Sequence, residues 1–286
     1  MKYAWIEDHR DQFSVTRMCR QLDVSRTGYC QWRKRKPSER WMANAALDAQ
    51  VAAIHESSKS SYGRPRIVRG LRACGIYASH ERVRNSLNRQ GLRAVYRRRY
   101  RVTTNSKHQK PVAANVLDRR FDGWRINQAW VGDITYVETA EGWLYLACVM
   151  DLGSRRIIGW SMSDRIKTDL VSQALSSAYG MRKPPAGLIM HTDRGCQYAS
   201  ASHRKLIKDY DMVQSMSRKS NCWDNAAMES FFKTLKVERL HRIRYASRSQ
   251  ARLDIVDWIE GFYNRTRIHS SIGYTTPVDA ESRLTA

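Results

Sequence analysis

Apolar residues recur at helical spacing near the start of the chain. Within residues 13–36, Val15, Met18 and Leu22 fall on one face of a predicted helix. A polar turn follows, and Ser25 is well suited to cap a second helix. The pattern predicts a small helix-turn-helix, with a plain two-helix hairpin as the alternative.

A second helical pattern follows the first. Helices are predicted over residues 45–57 and 67–74, and the turn-prone Tyr-Gly-Arg-Pro lies between them in a predicted loop, residues 58–65. Ser79 is placed to cap a third helix and Gly91 to end it. This module again has the pattern of a helix-turn-helix.

From residue 130 the spacing of apolar residues changes to that of strands. Gly142 and Gly153 separate three consecutive apolar runs and predict hairpin-like turns between them. Helix-like and strand-like segments then alternate, which predicts an α/β fold with a mixed sheet. The predicted strands cover residues 130–137, 142–150, 156–162, 188–191 and 212–216, and the predicted helices cover 168–179 and 202–210.

These changes in pattern divide the chain into four segments. We expect a helix-turn-helix module at 1–40, a second such module at 41–92, a basic linker at 93–120 and an α/β core at 121–286. The linker is polar and poor in apolar residues, so we expect it to become ordered only on a nucleic acid.

The charge of the chain is extreme. Its 286 residues carry 50 Lys and Arg against 27 Asp and Glu, a formal net charge of +23. Residues 61–120 alone hold 16 of the basic residues and two of the acidic ones. Charge this dense repels itself without a counter-charge, so a polyanionic partner is favoured over a merely solvated surface. Most of this excess is Arg, which binds phosphates through two hydrogen bonds at once.

The cysteine pattern and the hydropathy argue against several classes of protein. The six Cys residues include no C-x-x-C pair and no zinc-like spacing, so we expect reduced thiols. No apolar run reaches the length that spans a bilayer, and the first ten residues are too polar for a signal peptide. We therefore expect a cytoplasmic protein.

Three acidic residues occupy positions suited to binding divalent metals. Asp133 lies inside the first apolar strand, Asp193 follows the fourth, and Glu229 lies at the start of a predicted helix. Carboxylate oxygens are the ligands that hard cations prefer. In a chain this basic, the three acids predict a metal site that acts on phosphodiesters.

Each acid taken singly has an ordinary alternative explanation. A strand Asp such as Asp133 is often a satisfied core residue, and Asp193 lies in a common turn composition. Glu229 and Lys233 have the spacing of a helix salt bridge. Rival candidates for the third acid are Asp151, Asp224 and Glu238.

The sequence around the three acids resembles a known family. The motifs Trp-Val-Gly-Asp133, His-Thr-Asp193-Arg-Gly and Trp-Asp-Asn-Ala-Ala-Met-Glu229 are similar to those of DDE transposases and retroviral-type integrases. Within these, the chain most resembles the OrfB product of the bacterial insertion-sequence-three family. Tyr62-Gly-Arg-Pro-Arg and the segment 262–277 carry further parts of the likeness, which extends over nearly the whole chain.

The resemblance implies a ribonuclease-H-like catalytic core in which Asp133, Asp193 and Glu229 bind two Mg²⁺ ions, with Mn²⁺ as a substitute. It implies that such an enzyme cleaves the ends of an insertion element and transfers the freed 3′-hydroxyl to another strand. The implied partners are double-stranded DNA and further copies of the chain on that DNA. An upstream OrfA partner, separate or joined by frameshift fusion, is also implied.

The candidate DNA contacts share a basic side chain on a predicted helix or on the linker. Lys236 matches a basic position of the family, seven residues after Glu229. The other candidates are Lys233, Arg26, Arg33, Lys34, Arg64, Arg66, Arg97, Arg98 and Arg99. The alternative functions are a ribonuclease-H-type nuclease that does not join strands and a DNA-binding regulator that has lost catalysis. The two DNA-reading modules argue against the first, and the presence of all three acids argues against the second.

Overall fold

A computed structural model describes residues 1–95, 110–219 and 222–285. Contacts divide the chain into two units, residues 1–52 and 53–286, with the boundary inside the fourth helix.

The first unit is a small all-helical module. Ile6, Met18 and Tyr29 are buried at its centre. The Ser25 hydroxyl accepts the backbone N–H of Gly28, so the predicted helix cap is confirmed. The helices are α1 (Lys2–Asp8), α2 (Val15–Gln21), α3 (Arg26–Lys34) and α4 (Glu39–Ser57), the last continuing into the second unit.

Two local features explain how the first three helices pack. Asp23 lies in the turn between α2 and α3 with φ of +50°, a left-handed conformation that Asp adopts more readily than most residues. A Cβ atom on Gly28 would lie 2.4 Å from the Tyr3 hydroxyl. Glycine at this position therefore leaves room for the Tyr3 side chain of α1, a helix that the apolar pattern does not predict, against α3.

The second unit begins inside the predicted second helical module, because the boundary between the units falls within α4. α5 (Arg64–Ala73) and α6 (His80–Arg89) follow α4, and the Ser79 hydroxyl caps α6 by accepting the N–H of Arg82. The predicted loop over residues 58–65 is too long, because Arg64 and Pro65 form the first turn of α5. Proline is compatible with that position, where a helix has no partner for the backbone N–H. α4 likewise begins at Glu39, earlier than predicted.

A five-stranded mixed sheet forms the centre of the second unit. Its strands lie in the order β3-β2-β1-β4-β5, with the first three antiparallel and the β1–β4 and β4–β5 pairs parallel. This confirms the predicted α/β class with a mixed sheet. The strands are β1 (Ala129–Thr139), β2 (Gly142–Asp151), β3 (Ile157–Ser163), β4 (Ile189–Thr192) and β5 (Val213–Met216).

Helices cover both faces of this sheet. Trp130 packs with α7 (Thr168–Arg182) and α8 (Ala201–Asp209) on one face. Its neighbour Val131 points to the other face, as strand geometry requires. That face is covered by α9 (Ala226–Glu238), α10 (Arg248–Val256) and a π-helical segment (Asp257–Tyr263). The remaining elements are α11 (Pro277–Thr285) and 3₁₀ turns at Cys222–Asn225, Leu240–Arg242 and Ser270–Ile272.

The end of the predicted linker belongs to this core. Leu117 is fully buried, and the Ser215 hydroxyl accepts the backbone N–H groups of both Val116 and Leu117. The expectation that residues 93–120 order only on a nucleic acid is therefore wrong for this end. Leu117 supplies apolar burial at this end, and Ala113 also packs against the core.

Two smaller expectations can be compared with the structure. Cys19, Cys30, Cys74, Cys148 and Cys196 are free thiols. Within the described ranges, no helix combines the length and the apolarity that crossing a bilayer requires.

Candidate active site

Parallel pairing of β1 and β4 brings Asp133 and Asp193 together. Val131 pairs with His191 in register, and each acid lies two residues further along its strand direction. The two carboxylates therefore emerge at the same level of the sheet, one inside β1 and one just past the end of β4.

Each of the two carboxylates is held by a backbone donor. The N–H of Ile134 donates to Oδ1 of Asp133 at 2.8 Å, and the N–H of Gly195 donates to Oδ1 of Asp193 at 2.8 Å. A Cβ atom on Gly195 would lie 2.9 Å from the same Asp193 oxygen. A side chain at position 195 would therefore push against the carboxylate that the turn orients.

The pKa of the Asp133 carboxyl responds to the other acidic groups around it. Burial raises the pKa of the Asp133 carboxyl well above its usual range, and the negative charges of Asp193 and Glu229 raise it further. The hydrogen bond from Ile134 and the positive charge of Lys236 act in the opposite direction. Asp133 is thus a carboxyl group that a nearby cation would stabilise in its charged form.

Lys236 reaches this site from α9. Its ammonium lies 4.5 Å from the centre of the Tyr136 ring on β1, a cation–π contact. Burial lowers the pKa of Lys236, and the charge of Asp133 opposes that change. A half-buried lysine is therefore fixed between the aromatic ring of Tyr136 and the acidic pair.

Glu229 lies in the first turn of α9. The residue is largely solvent-exposed, yet enough protein surrounds its carboxyl group to raise its pKa, an effect that the charge of Lys233 partly offsets. The start of α9 is tied to β1 because the side-chain amide of Asn225 donates to the carbonyl of Gly132 at 3.1 Å. This buried hydrogen bond links the helix of Glu229 to the residue next to Asp133.

Asp224 stabilises the loop before α9. Its carboxylate, fully buried, accepts hydrogen bonds from the backbone and guanidinium of Arg218 and from the side chains of Arg119 and Asn115. The hydrogen bonds from Arg218 hold the pKa of Asp224 far below its usual range. Asp224 therefore has a structural role and is fully engaged away from the acidic pair.

The other two rival acids are also engaged in structural contacts. Asp151 accepts hydrogen bonds from the backbone of Asn127 and Gly153 and from the indole of Trp130. Glu238 forms two hydrogen bonds with the guanidinium of Arg267, at 2.7 and 2.8 Å. Neither carboxylate is directed to the pair formed by Asp133 and Asp193.

A buried histidine supports the strand ends beneath the acids. His191 Nδ1 lies 2.8 Å from the Ser215 hydroxyl, whose oxygen already accepts two backbone N–H groups, so the hydroxyl proton points to Nδ1. Nε2 then carries the ring proton and lies 3.3 Å from the Ser217 hydroxyl. Burial lowers the pKa of His191 to about 4, which agrees with a neutral ring.

The three acids offer the oxygen ligands that a hard cation prefers, although they do not form a closed ligand shell. Across residues 1–95, 110–219 and 222–285, no three His, Cys, Asp or Glu side chains lie close enough to hold one metal ion. The donors of Asp133, Asp193 and Glu229 are all oxygens, and a divalent cation would offset the repulsion that raises the pKa of Asp133. A three-carboxylate shell therefore requires these acids to come closer together than they lie here.

The candidate DNA contacts fall into four groups. Lys236 and Lys233 lie on α9, near the acids. Arg66 is half-buried beside Glu238, at 3.9 Å. The solvent-exposed candidates are Arg26, Arg33, Lys34 and Arg64, and the candidates Arg97, Arg98 and Arg99 lie outside the described residues.

Asn225 and Tyr136 have no role predicted from the sequence. Asn225 lies inside the motif that contains Glu229, directly before α9, and Tyr136 lies three residues after Asp133. The signal for Asn225 is the Asp224-Asn225 pair at the predicted helix start, where both residue types are common caps. Here they bond to other segments instead of capping α9.

Comparison with known families identifies two kinds of module. Residues 125–222 match the family described as Integrase core domain, and residues 210–277 match a second family with the same description. Residues 42–100 match the family described as HTH-like domain.

Curated relatives match almost the entire chain. The Transposase InsF for insertion sequence IS3A of Escherichia coli K12 is 44% identical over 285 residues, covering 99% of each chain. An uncharacterized 31 kDa protein of insertion element IS600 from Shigella sonnei is 41% identical over 260 residues, covering 91% of this chain and 96% of the relative.

Solved structures show weaker likeness. A simian T-cell lymphotropic virus intasome, solved with a PP2A regulatory subunit, matches with a TM-score of 0.47 and 15% identity, covering 81% of this chain and 74% of that one. The HTLV-2 integrase catalytic core domain with magnesium matches with a TM-score of 0.43 and 16% identity, covering 56% and 99%.

Proposed function

The chain belongs to the IS3 family of insertion-sequence transposases, and from that premise we propose how its residues cleave and join DNA. It is a DNA transposase, a polynucleotidyl transferase with an integrase core domain. We propose that Asp133, Asp193 and Glu229 are its catalytic acids. The convergence of Asp133 and Asp193 at one level of the sheet, beside Lys236, is the observation that carries this proposal.

We propose that the reaction depends on divalent metal held by these three acids, with two Mg²⁺ ions in the working enzyme and Mn²⁺ as a substitute. Such ions, when bound, supply activation of the attacking hydroxyl and charge stabilisation of the leaving oxygen. The chain's own part is to hold the carboxylates in place. Ile134 and Gly195 orient Asp133 and Asp193 through backbone N–H groups, and their hydrogen bonds favour the charged carboxylates.

Lys236 and the helical modules are proposed to bind the DNA. The ammonium of Lys236, fixed over Tyr136 beside the acids, is suited to a phosphate next to the reacting bond. The exposed basic residues of α3 are suited to a DNA groove or its backbone. We propose modules at 1–40 and 41–92, a linker at 93–120 whose end at Val116 and Leu117 packs into the core, and a core at 121–286, acting as a dimer or larger assembly on DNA.

An upstream OrfA partner, separate or fused by frameshifting, is a further proposal. Co-expression of the upstream reading frame should then raise the affinity for element ends above that for unrelated duplexes. No change in this ratio would contradict a role for such a partner in end recognition.

A strand-transfer assay tests the proposed catalytic acids. The protein is mixed with Mg²⁺ and a labelled duplex of the element end, and the wild type is compared with Asp193→Asn and Glu229→Gln. We expect nicked and joined products from the wild type alone, with DNA binding largely retained in both variants because affinity depends on Arg and Lys contacts. Asp209→Asn is the matched control, since Asp209 is an exposed partner of Lys205 on α8.

The products of this assay distinguish a transposase from the two alternative functions, a nuclease and an inactive regulator. Nicks without joined strands would favour a ribonuclease-H-type nuclease over a transposase. Binding without any cleavage by the wild type would favour a regulator that has lost catalysis. Full activity of Asp193→Asn would overturn the assignment of that residue.

A further inference from the structure

A cleft opens beside α9 in the second unit. Its volume is about 700 Å³, and it lies between the start of α5, the outer face of α9 and the segment 263–274. The buried side chains of Met150, Phe231 and Tyr263 form part of its inner wall.

The cleft adjoins the catalytic end of α9. Ala226, Ala227 and Ser230, from the first turns of the helix, line it together with Lys233. The charge of Lys233 lowers the pKa of Glu229, so this ammonium lies near a proposed catalytic carboxylate. Asp133, Asp193 and Glu229 do not line the cleft, but a ligand that contacts Lys233 would lie one helical turn from Glu229, at the edge of the proposed catalytic site.

The charges lining the cleft are unbalanced. Its two carboxylates are already engaged, because Asp122 pairs with Arg155 at 2.7 Å and Glu238 pairs with Arg267 at 2.7 Å. Arg66 lies 3.9 Å from that same Glu238. Within the described residues, the Arg66 guanidinium donates no hydrogen bond.

Lys233 adds to this excess, since it forms neither a hydrogen bond nor an ion pair with any residue that the structure describes. Burial and the charge of Arg267 lower the pKa of Arg66. Burial, followed by the charges of Arg267, Arg66 and Arg155, lowers the pKa of His269 well below its usual range. The cleft is thus an electropositive environment that a bound anion would stabilise.

The volume of the cleft and the aromatic ring of Tyr274 in its wall indicate that the anion is a nucleotide. Its volume falls in the range of about 300–1,000 Å³ that is typical of small-ligand sites, so it can hold a nucleotide but not a duplex. Tyr274 lines the cleft with φ of +59°, a conformation rare for a bulky residue, and Arg69 lies over its ring at 4.8 Å. Proteins that bind single strands combine such a positive groove with aromatic side chains.

We propose that this cleft binds an unpaired nucleotide of the DNA strand beside the reacting phosphate, with its phosphate between Arg66 and Lys233 and its base against Tyr274. The proposal rests on the transposase function and names part of its substrate. Unpairing costs least at a strand end or a mismatch, so the cleft favours ends that are already open.

Binding measurements without divalent metal test this proposal. The full chain is titrated onto a labelled blunt element-end duplex and onto the same duplex with unpaired terminal nucleotides, and the anisotropy gives both dissociation constants. We expect the wild type to bind the open end more tightly. Arg66→Ala should weaken binding to the open end by about tenfold and remove the preference for the open end over the blunt end.

Arg72→Ala is the matched control, because Arg72 is an exposed arginine of the same helix and does not line the cleft. It should weaken both complexes equally. Tyr274→Leu replaces Arg66→Ala if thermal melting shows that the latter is unfolded, and it should also remove the preference for the open end.

Two results would overturn the proposal. One is equal affinity of the wild type for blunt and open ends, and the other is identical behaviour of the cleft variants and Arg72→Ala. Because the measurement needs no chemistry, a protein that shows the preference but fails to cleave DNA would contradict the catalytic proposal and leave this one standing.

Discussion

At the scale of single residues, the candidate site depends on buried groups that do not face the DNA. Asn225 and Asp224 stand side by side before α9, and their side chains bond to β1 and to the segment 115–119. The position of Glu229 relative to Asp133 therefore depends on hydrogen bonds four and five residues before it.

Asn225→Ala should reduce strand cleavage by about tenfold or more while leaving the affinity for DNA close to that of the wild type. The reason is that loss of the bond to the Gly132 carbonyl frees the start of α9 and leaves a buried acceptor unpaired. Single-turnover cleavage and anisotropy measure the two quantities. Asn88→Ala, at an exposed position of α6, is the control, and equal cleavage by both variants would argue against a positioning role.

Asp224→Asn should lower the free energy of unfolding by about 1.5 kcal/mol, because it weakens the charge-assisted hydrogen bonds from Arg218 and Arg119, whose guanidinium groups are half exposed and regain water. Denaturant unfolding measures this change. Asp209→Asn removes an exposed pair on α8 and should cost less than about 0.5 kcal/mol. Similar losses in both variants would show that Asp224 is no more important than a surface acid.

At the scale of elements, the apolar pattern predicted the strands and most helices because each presents one face to a core. β1 was recognised from its apolar run, and Ser79 marked the start of α6. The early start of α5 was not predicted, because proline is common both in loops and in the first turn of a helix. The π-helical segment Asp257–Tyr263 and α10 were not assigned, since their burial depends on a sheet face formed by distant residues.

A buried histidine on α8 should make the stability of the protein depend on pH in the acid range. His203 is buried with both ring nitrogens lacking a hydrogen-bond partner among the described residues, and burial lowers its pKa from about 6.5 to about 4. Between pH 6.5 and about 4, His203 is therefore protonated in the unfolded chain and neutral in the folded chain. Stability should fall as pH drops from about 6.5 to 4, by about 3 kcal/mol from this residue.

His203→Gln should make this acid slope shallower, as measured by denaturant unfolding at several pH values. The remaining slope has other sources, including His269, whose pKa is also depressed by burial and by nearby arginines. An unchanged slope in His203→Gln would contradict the assignment of a buried neutral ring.

At the scale of the whole molecule, the sequence predicted the mixed α/β core and the helical modules. Parallel pairing of β1 and β4 brings residues at matching positions together and so places Asp133 near Asp193, whereas convergence of all three acids on metal stays a prediction. The sequence could not give how the start of α9, which carries Glu229, is held by the Asp224 and Asn225 contacts. Nor could it reveal the cleft, whose walls come from three distant parts of the second unit.

The central claim is that Asp193 holds a catalytic divalent metal together with Asp133 and Glu229. The most direct measurement is strand transfer by Asp193→Cys with Mg²⁺ and with Mn²⁺, each normalised to the wild type. Mg²⁺ is a hard cation that prefers oxygen ligands, whereas Mn²⁺ tolerates a thiolate better. We predict joined products with Mn²⁺ and almost none with Mg²⁺; equal relative activity with the two metals would contradict metal binding by Asp193.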